Sequence, residues 1–231
     1  MRRLMSITLF LFVLAFSTQA QGLSAETALA DKKADALLLY RQGRDLESSG
    51  KMDEAKARYL AAVQICETEI ATDPKRMDAY AVKCWSLFRL GRHGEVVELG
   101  SVALKIMFDA RVSEVMGESY FHLGKNELSL KYLQKYIESS GESADRVPTA
   151  YFYMGETYLR MKHLAHADIA YSFAVAREPN MPRWWYRLGQ VCESLGEWKR
   201  AYDAYNRALV LSPALQEAID GRDRVKPKTG A

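Results

Sequence analysis

Cysteine, histidine and proline are scarce in this chain of 231 residues, which has three cysteines, four histidines and six prolines. So few cysteines, in an odd number, do not make a disulfide scaffold. The low content of proline, together with only 14 glycines, argues against a long disordered region. The net charge is +3, and Arg2 and Arg3 supply two of these charges. The composition therefore gives no electrostatic reason to expect nucleic-acid binding.

The usual sequence motifs of catalytic and metal sites are also missing. There is no G-x-S-x-G, no phosphate-binding glycine loop and no H-E-x-x-H. His163 and His166 are three residues apart, but no third ligand follows at a suitable spacing, so we expect no metal site. Glu114 and Glu118 lie four residues apart, and we interpret them as a solvated charged face of a helix rather than as catalytic carboxylates. We expect neither an enzyme nor a cofactor.

The N-terminus has the pattern of a secretory signal peptide. Two arginines at positions 2 and 3 precede an almost entirely apolar run over residues 4–16, and Thr18-Gln19-Ala20 offers a small-x-small cleavage site. We therefore predict a signal peptide over residues 1–20 and export to a bacterial periplasm, with no membrane span once the signal is removed. An uncleaved N-terminal anchor is the alternative, although the apolar run is shorter than the ~20 residues that a spanning helix needs.

The clearest structural pattern lies between Trp184 and Pro213. Leu188 and Cys192 follow Trp185 at three- and four-residue intervals, which places all three on one face of a helix. Gly196 then follows at the position of a left-handed cap that ends this helix.

A second helix completes a hairpin with the first. Ala201 and Tyr205 lie on its inner face, Pro213 ends it, and small Gly189 lets the two backbones approach closely. The whole stretch resembles the tetratricopeptide repeat (TPR) motif W-x₂-L-G-x₂-Y…A-x₃-F…P, with Cys192 where the family prefers tyrosine. This resemblance implies an all-α fold in which helical hairpins stack into a right-handed α-solenoid.

The same spacing recurs four times upstream of this hairpin. Positions equivalent to Gly189 are separated by intervals of 41, 33, 38 and 34 residues, against a family period of about 34. These positions are Gly43, Cys84, Gly117, Gly155 and Gly189. The predicted organisation is a signal peptide (1–20), an N-terminal helix extension (21–35), five repeats over 36–213 (36–74, 77–107, 110–140, 148–179 and 182–213), a capping helix (214–225) and a frayed tail (226–231).

The second repeat departs most from the pattern. Cys84 replaces the glycine and Gly100 replaces the aromatic residue, so we expect its second helix to be loosely packed. Cys66 and Cys84 lie about equally far from the turn at Asp73-Pro74, which makes a disulfide one alternative and two buried thiols the other.

The resemblance to TPR proteins implies a concave surface lined by one face of each first helix. Its aromatic and arginine side chains are of the types enriched at interface cores. An aromatic stripe at helical spacing also fits a packing role, and the sequence leaves both readings open. The candidate binding residues are Tyr40, Arg44, Trp85, Phe88, Arg111, Phe121, Phe152, Arg160, Arg183, Tyr186 and Gln190.

These observations predict an exported scaffold or adaptor that binds a protein or peptide partner in its groove, in envelope assembly or a periplasmic complex. The Lys and Asn cluster with which some TPR proteins clamp a peptide C-terminus is absent: Tyr40, Arg44 and Val82 occupy its place. A carrier of a small apolar ligand or a transporter-associated subunit is one alternative, and a structural homo-oligomer is another. The sequence leaves the oligomeric state open.

Overall fold

A computed structural model describes residues 35–141 and 144–230 of the chain. Within these residues the regular structure consists of eleven α-helices and a final 3₁₀ turn, with no β-strand, so the predicted all-α class is confirmed. The predicted signal peptide lies outside the described residues. The helices are α1 (Ala36–Ser48), α2 (Met52–Thr72), α3 (Met77–Arg89), α4 (His93–Ile106), α5 (Ala110–His122), α6 (Asn126–Ser140), α7 (Val147–Arg160), α8 (Leu164–Arg177), α9 (Pro182–Ser194), α10 (Trp198–Leu211) and α11 (Gln216–Val225).

The chain divides into two compact units, one ending at Ile65 and the other beginning at Cys66. In the first unit, Gly43 of α1 lies against the ring of Tyr59, because a Cβ at Gly43 would come 2.5 Å from Tyr59 Cε1. The Tyr59 hydroxyl donates to Glu47 over 2.6 Å.

The first helix starts at a capping residue. The Asp35 side chain accepts a hydrogen bond from the backbone N–H of Leu37 over 3.1 Å, and the backbone of Asp35 is extended. Helix α1 therefore begins directly after Asp35, and the rest of the predicted helix extension over 21–35 lies outside the described residues. An aspartate whose side chain satisfies a free helical N–H starts a helix instead of continuing one.

In the second unit, consecutive helices pair through a small residue that faces a large one. A Cβ at Gly155 would lie 2.7 Å from Tyr171 Cε1, and one at Gly189 would lie 2.6 Å from Tyr205 Cε1. Both rings are fully buried. Glycine is required at these positions because a side chain there would occupy the volume of the tyrosine ring.

The second repeat achieves close packing by the opposite arrangement. Its small residue is Gly100 on the second helix, where an added Cβ would lie 2.5 Å from Met116 Sδ of α5. Met116, Val96 and Ala103 are all fully buried. The expectation of a loosely packed helix is therefore wrong, since a flexible methionine from the next repeat fills the space left by the missing aromatic ring.

The turns inside the hairpins require a left-handed backbone conformation. Gly91, Gly124 and Gly196 supply it with φ of 72°, 71° and 77°. The fourth repeat has no glycine at this place, and Lys162 adopts φ 61° instead. A side chain in this conformation costs free energy, so this turn is locally strained.

Helix α11 covers the end of the last hairpin, as expected of a capping helix. Gly221 lies against the ring of Tyr205, and Ala218 and Val225 are fully buried. The tail that the sequence predicts to fray forms a 3₁₀ turn at Lys226–Lys228, and Lys228 Nζ lies 4.2 Å from the ring centroid of Trp198. The face of the half-buried Trp198 ring attracts the ammonium group of Lys228 and holds this turn against the last hairpin.

None of the helices described in the structure combines the length and apolarity needed to cross a membrane.

Candidate functional site

The candidate residues lie on the first helices of the hairpins. Those of the second unit belong to α3, α5, α7 and α9, and α11 follows these four in the same position after α10. We call the surface formed by α3, α5, α7, α9 and α11 the first-helix surface. Tyr40 and Arg44 belong to α1 in the first unit, where Tyr40 is half-buried with its ring centroid 5.9 Å from that of Tyr59, and Arg44 is exposed.

The first part of the predicted aromatic stripe is partly core. Trp85 is half-buried and packs against the cluster that contains Tyr80 and Met116. Phe88 instead contacts two histidines, with ring centroids 5.1 Å from His93 and 5.6 Å from His122.

The two histidines stack on each other with centroids 4.4 Å apart and an interplanar angle of 8°. Burial lowers the pKa of His93, and the charge of His122 lowers it further. Burial also lowers the pKa of His122, together with the charge of Arg160. The lowered pKa favours neutral rings that can stack face to face. This cluster was not visible in sequence because His93 opens α4 and His122 ends α5.

Phe121 and Arg160 form a contact between α5 and α7. The guanidinium carbon of Arg160 lies 3.9 Å from the Phe121 ring centroid, and Nη1 donates to the Phe121 carbonyl over 2.6 Å. Tyr153 packs edge-on against Phe121 at 5.5 Å. Phe121 is half-buried and Arg160 is exposed, so both remain accessible to a partner.

Phe152 and Tyr186 contribute to packing. The Phe152 ring stacks on buried Trp184 with centroids 5.0 Å apart and an interplanar angle of 14°. Tyr186 is half-buried, and its centroid lies 6.1 Å from that of Tyr205. Burial raises the pKa of the Tyr186 hydroxyl. The structure thus divides the predicted stripe. Trp85 and Phe152 pack against buried residues, whereas the half-buried Phe121 packs against exposed Arg160.

The remaining candidates are polar. Arg111 pairs with Asp78 over 2.8 Å and with Asp109 over 2.7 Å. Arg183 is exposed. Gln190 Oε1 accepts a hydrogen bond from Arg187 Nη1 over 2.9 Å.

Glu114 and Glu118 form a buried pair bridged by Arg146. Arg146 Nε donates to Glu114 over 2.5 Å, and Nη2 donates to Glu118 over 2.6 Å. Each glutamate is only 3% exposed, so the interpretation as a solvated face is wrong. Burial and the neighbouring charge of Glu114 raise the pKa of Glu118, and Arg146 offsets part of this effect. Arg146 precedes α7 and lies outside any helical period, so helical periodicity does not predict that it contacts these carboxylates.

Two further arginine–glutamate bridges were also missed. Arg187 of α9 reaches Glu156 of α7 over 2.7 Å, and Arg224 of α11 reaches Glu193 of α9 over 2.6 Å. A signal did exist in the sequence, because Glu156 immediately follows Gly155 in the same way as Glu118 follows Gly117. A carboxylate at this position of two successive repeats predicts a cation at the start of the next first helix or within it.

A shallow cavity of about 410 Å³ lies beside the last bridge, lined by polar and charged side chains together with Trp198. Cys66, Cys84 and Cys192 are separate buried thiols, and burial raises the pKa of Cys84 to about 12. Across residues 35–141 and 144–230, no three His, Cys, Asp or Glu side chains gather in a way that could hold a metal ion.

Comparison with known proteins supports the repeat assignment. Residues 182–215 match the model of the tetratricopeptide repeat family. The crystal structure of YrrB, described as a TPR protein with an unusual peptide-binding site, is similar at 18% identity and a TM-score of 0.56, covering 86% of this chain and 97% of that one. No curated protein matches the sequence.

Two other solved structures are similar. A MamA RS-1 double mutant shares 17% identity with a TM-score of 0.60, covering 78% of this chain and 95% of its own. A chain of the APC/C hetero-tetramer Cut9–Hcn1 shares 19% identity with a TM-score of 0.62, covering 85% of this chain but only 37% of that one. These likenesses establish the fold, and the prediction of TPR-type helical hairpins is confirmed.

Proposed function

We propose that this chain is an exported, non-enzymatic TPR adaptor that binds a segment of a partner protein on its first-helix surface. The observation that carries the proposal is the contact between the exposed guanidinium of Arg160 on α7 and the half-buried ring of Phe121 on α5. Arginine and aromatic residues contribute most of the binding free energy in many protein interfaces. The described peptide-binding site of YrrB, which has a similar fold, is in keeping with this proposal.

The proposal is tested by selecting a random 12-residue peptide library on the whole purified chain. Synthetic copies of the selected peptides are then titrated against the chain and against Phe121→Ala. We expect affinity to fall about tenfold, because the truncation removes an aromatic contact from the first-helix surface. Ile169→Ala is the matched control, since Ile169 is a 67% exposed apolar side chain on second helix α8. Failure to select any peptide, or equal losses for both variants, would refute binding at this surface.

Export to the periplasm and a role in envelope assembly are part of the same proposal and rest on the pattern of residues 1–20. Cell fractionation with N-terminal sequencing tests this part. The expected mature chain begins at Gln21 in the periplasmic fraction. Full-length chain in the cytoplasm or in the membrane fraction would exclude a cleaved signal peptide.

A structural homo-oligomer remains the second candidate. Leu38, Met52 and Leu60 of the first unit are 48%, 60% and 40% exposed, and such side chains favour association with another apolar surface. Light scattering over a concentration series tests this candidate, and a monomer at the highest concentration would exclude it. A carrier of an apolar ligand has less support, since the cavity beside Glu193 and Arg224 is mostly polar.

A further inference from the structure

Arginine side chains bridge every junction between consecutive first helices of the second unit. Arg111 of α5 reaches Asp78 of α3, Arg187 of α9 reaches Glu156 of α7, and Arg224 of α11 reaches Glu193 of α9. At the junction of α5 and α7, Arg146 bonds to two glutamates of α5. The bridges therefore follow the repeat from one first helix to the next.

In each of the last three junctions the arginine side chain is more exposed than the carboxylate side chain that it pairs with. The side chains of Arg146 and Glu114 are 49% and 4% exposed. The values are 36% and 11% for Arg187 and Glu156, and 54% and 18% for Arg224 and Glu193. The first junction differs, because Asp78 is 74% exposed. A partner that lies on α5, α7, α9 and α11 would therefore meet guanidinium groups before carboxylates.

The ion pairs fix the orientation of the arginine side chains before a partner binds. A half-exposed ion pair adds little to stability, but it holds a long side chain in one orientation. Arg187 and Arg224 each contact both oxygens of one carboxylate through Nε and Nη2. A guanidinium has five N–H donors, and such a pair occupies two of them. In Arg187 a third donor goes to Gln190 Oε1 over 2.9 Å, which leaves two for a partner. A second acceptor would therefore bind an arginine whose conformational entropy is already largely lost.

We infer that the first-helix surface binds an acidic, extended segment of a partner protein, whose carboxylates contact the guanidinium groups of Arg146, Arg187 and Arg224. This inference rests on the proposed function and specifies the chemistry of the partner. Packed helices lie ~8–10 Å apart and an extended chain advances ~3.3 Å per residue. Acidic residues about three positions apart, with apolar residues between them for Phe121 and Tyr186, therefore match the surface.

The same observations favour a protein segment over a nucleic acid. The chain has a net charge of only +3, whereas nucleic-acid binding depends on many phosphate contacts with unbalanced cations. A carboxylate lies beneath each of these guanidinium groups, so the surface suits separated charges better than a continuous polyanion. The aromatic rings of Phe121 and Tyr186 also need apolar neighbours on the partner.

The test begins with the peptides selected from the random library. We expect them to be enriched in Asp and Glu, and each synthetic peptide is compared by fluorescence anisotropy with a copy in which every Glu is Gln and every Asp is Asn. Loss of the charges should weaken binding at least about tenfold, the value typical of one charge-assisted hydrogen bond. An unselected oligonucleotide of the same length serves as a competitor.

Paired substitutions show where the charges bind. Glu156→Gln with Arg187→Gln removes both members of one bridge, so no buried charge is left unpaired, and should weaken binding about tenfold. Asp168→Asn with Arg200→Gln is the matched control, because this pair has a 49% exposed arginine and a 19% exposed aspartate but joins second helices α8 and α10. The control should bind as the unaltered chain does.

The outcomes separate this inference from the proposed function. Selected peptides without acidic enrichment, which still depend on Phe121, would overturn the acidic partner and leave the adaptor function standing. Equal losses in the two paired variants would overturn the assignment to the first-helix surface. Tighter binding of the oligonucleotide than of any peptide would overturn the choice of a protein segment. Failure to select peptides at all would remove the proposed function together with this inference.

Discussion

Replacing Gly189 by alanine would place a methyl group where the ring of Tyr205 already lies. The added Cβ would be 2.6 Å from Tyr205 Cε1 and 2.7 Å from Cδ1, whereas non-bonded carbons normally keep ~3.5–4.0 Å apart. The ring has little freedom to move away, because Gly221 of α11 lies against it and its hydroxyl is bonded to Glu193 over 2.7 Å. Movement of the ring would therefore displace the capping helix.

The expected cost is the difference between two opposing effects. Overpacking of a dense core destabilises by about 1–3 kcal/mol, and alanine stabilises a helix interior by about 1 kcal/mol relative to glycine. The free energy of unfolding should therefore fall by roughly 0–2 kcal/mol. Gly94→Ala in α4 is the control, because nothing lies within 4 Å of its added Cβ and only the gain in helix propensity applies.

Thermal unfolding followed by circular dichroism measures the difference between these two variants. Gly94→Ala should melt higher than Gly189→Ala, by ~2–4 °C for each kcal/mol in a chain of this size. The double variant Gly189→Ala with Tyr205→Leu should lose less stability than the sum of its two single substitutions, because the smaller side chain removes the clash. Equal increases in melting temperature for Gly189→Ala and Gly94→Ala would refute the close approach of the two helices.

Three other substitutions test separate features of the structure. Lys162→Gly should raise the unfolding free energy by about 1 kcal/mol, because it relieves the left-handed backbone, and an unchanged urea midpoint would contradict that strain. Glu118→Gln should become increasingly more stable than the unaltered chain as pH rises above about 4.3, the ordinary pKa of glutamate. Because the pKa of Glu118 is raised in the folded protein, the protonated side chain stabilises the fold at low pH, and this stabilisation is lost as the pH rises through the raised pKa. A stability difference between the two chains that does not change with pH would contradict the raised pKa. Phe152→Ala should cost about 3 kcal/mol through lost stacking on Trp184, and a loss below about 1 kcal/mol would place Phe152 outside the core.

The hairpins could be predicted from sequence because their packing is local. Gly189 and Tyr205 lie 16 residues apart, and the spacing of small and aromatic residues fixes which faces meet. The packing of the second repeat could not be predicted in this way, because Gly100 packs against Met116 of the next hairpin and not against a residue of its own hairpin. A glycine at a repeat position that is usually aromatic can therefore indicate a cavity, or it can indicate that a side chain from the neighbouring repeat fills the space.

The candidate site was less predictable because its polar contacts join different repeats. Arg187 and Glu156 are 31 residues apart, and Arg146 and Glu114 are 32 apart. Helical periodicity gives the direction of each side chain but not which cation reaches it from the following helix. The sequence therefore predicts that Glu118 lies on α5 but does not predict that its side chain is buried.

Hydrogen–deuterium exchange of the whole chain, with and without a selected acidic peptide, tests the central claim most directly. A partner segment lying across the first-helix surface should slow amide exchange in α5, α7, α9 and α11 and leave second helices α6, α8 and α10 unchanged. Protection confined to the second helices, or no protection at saturating peptide, would contradict binding at the first-helix surface.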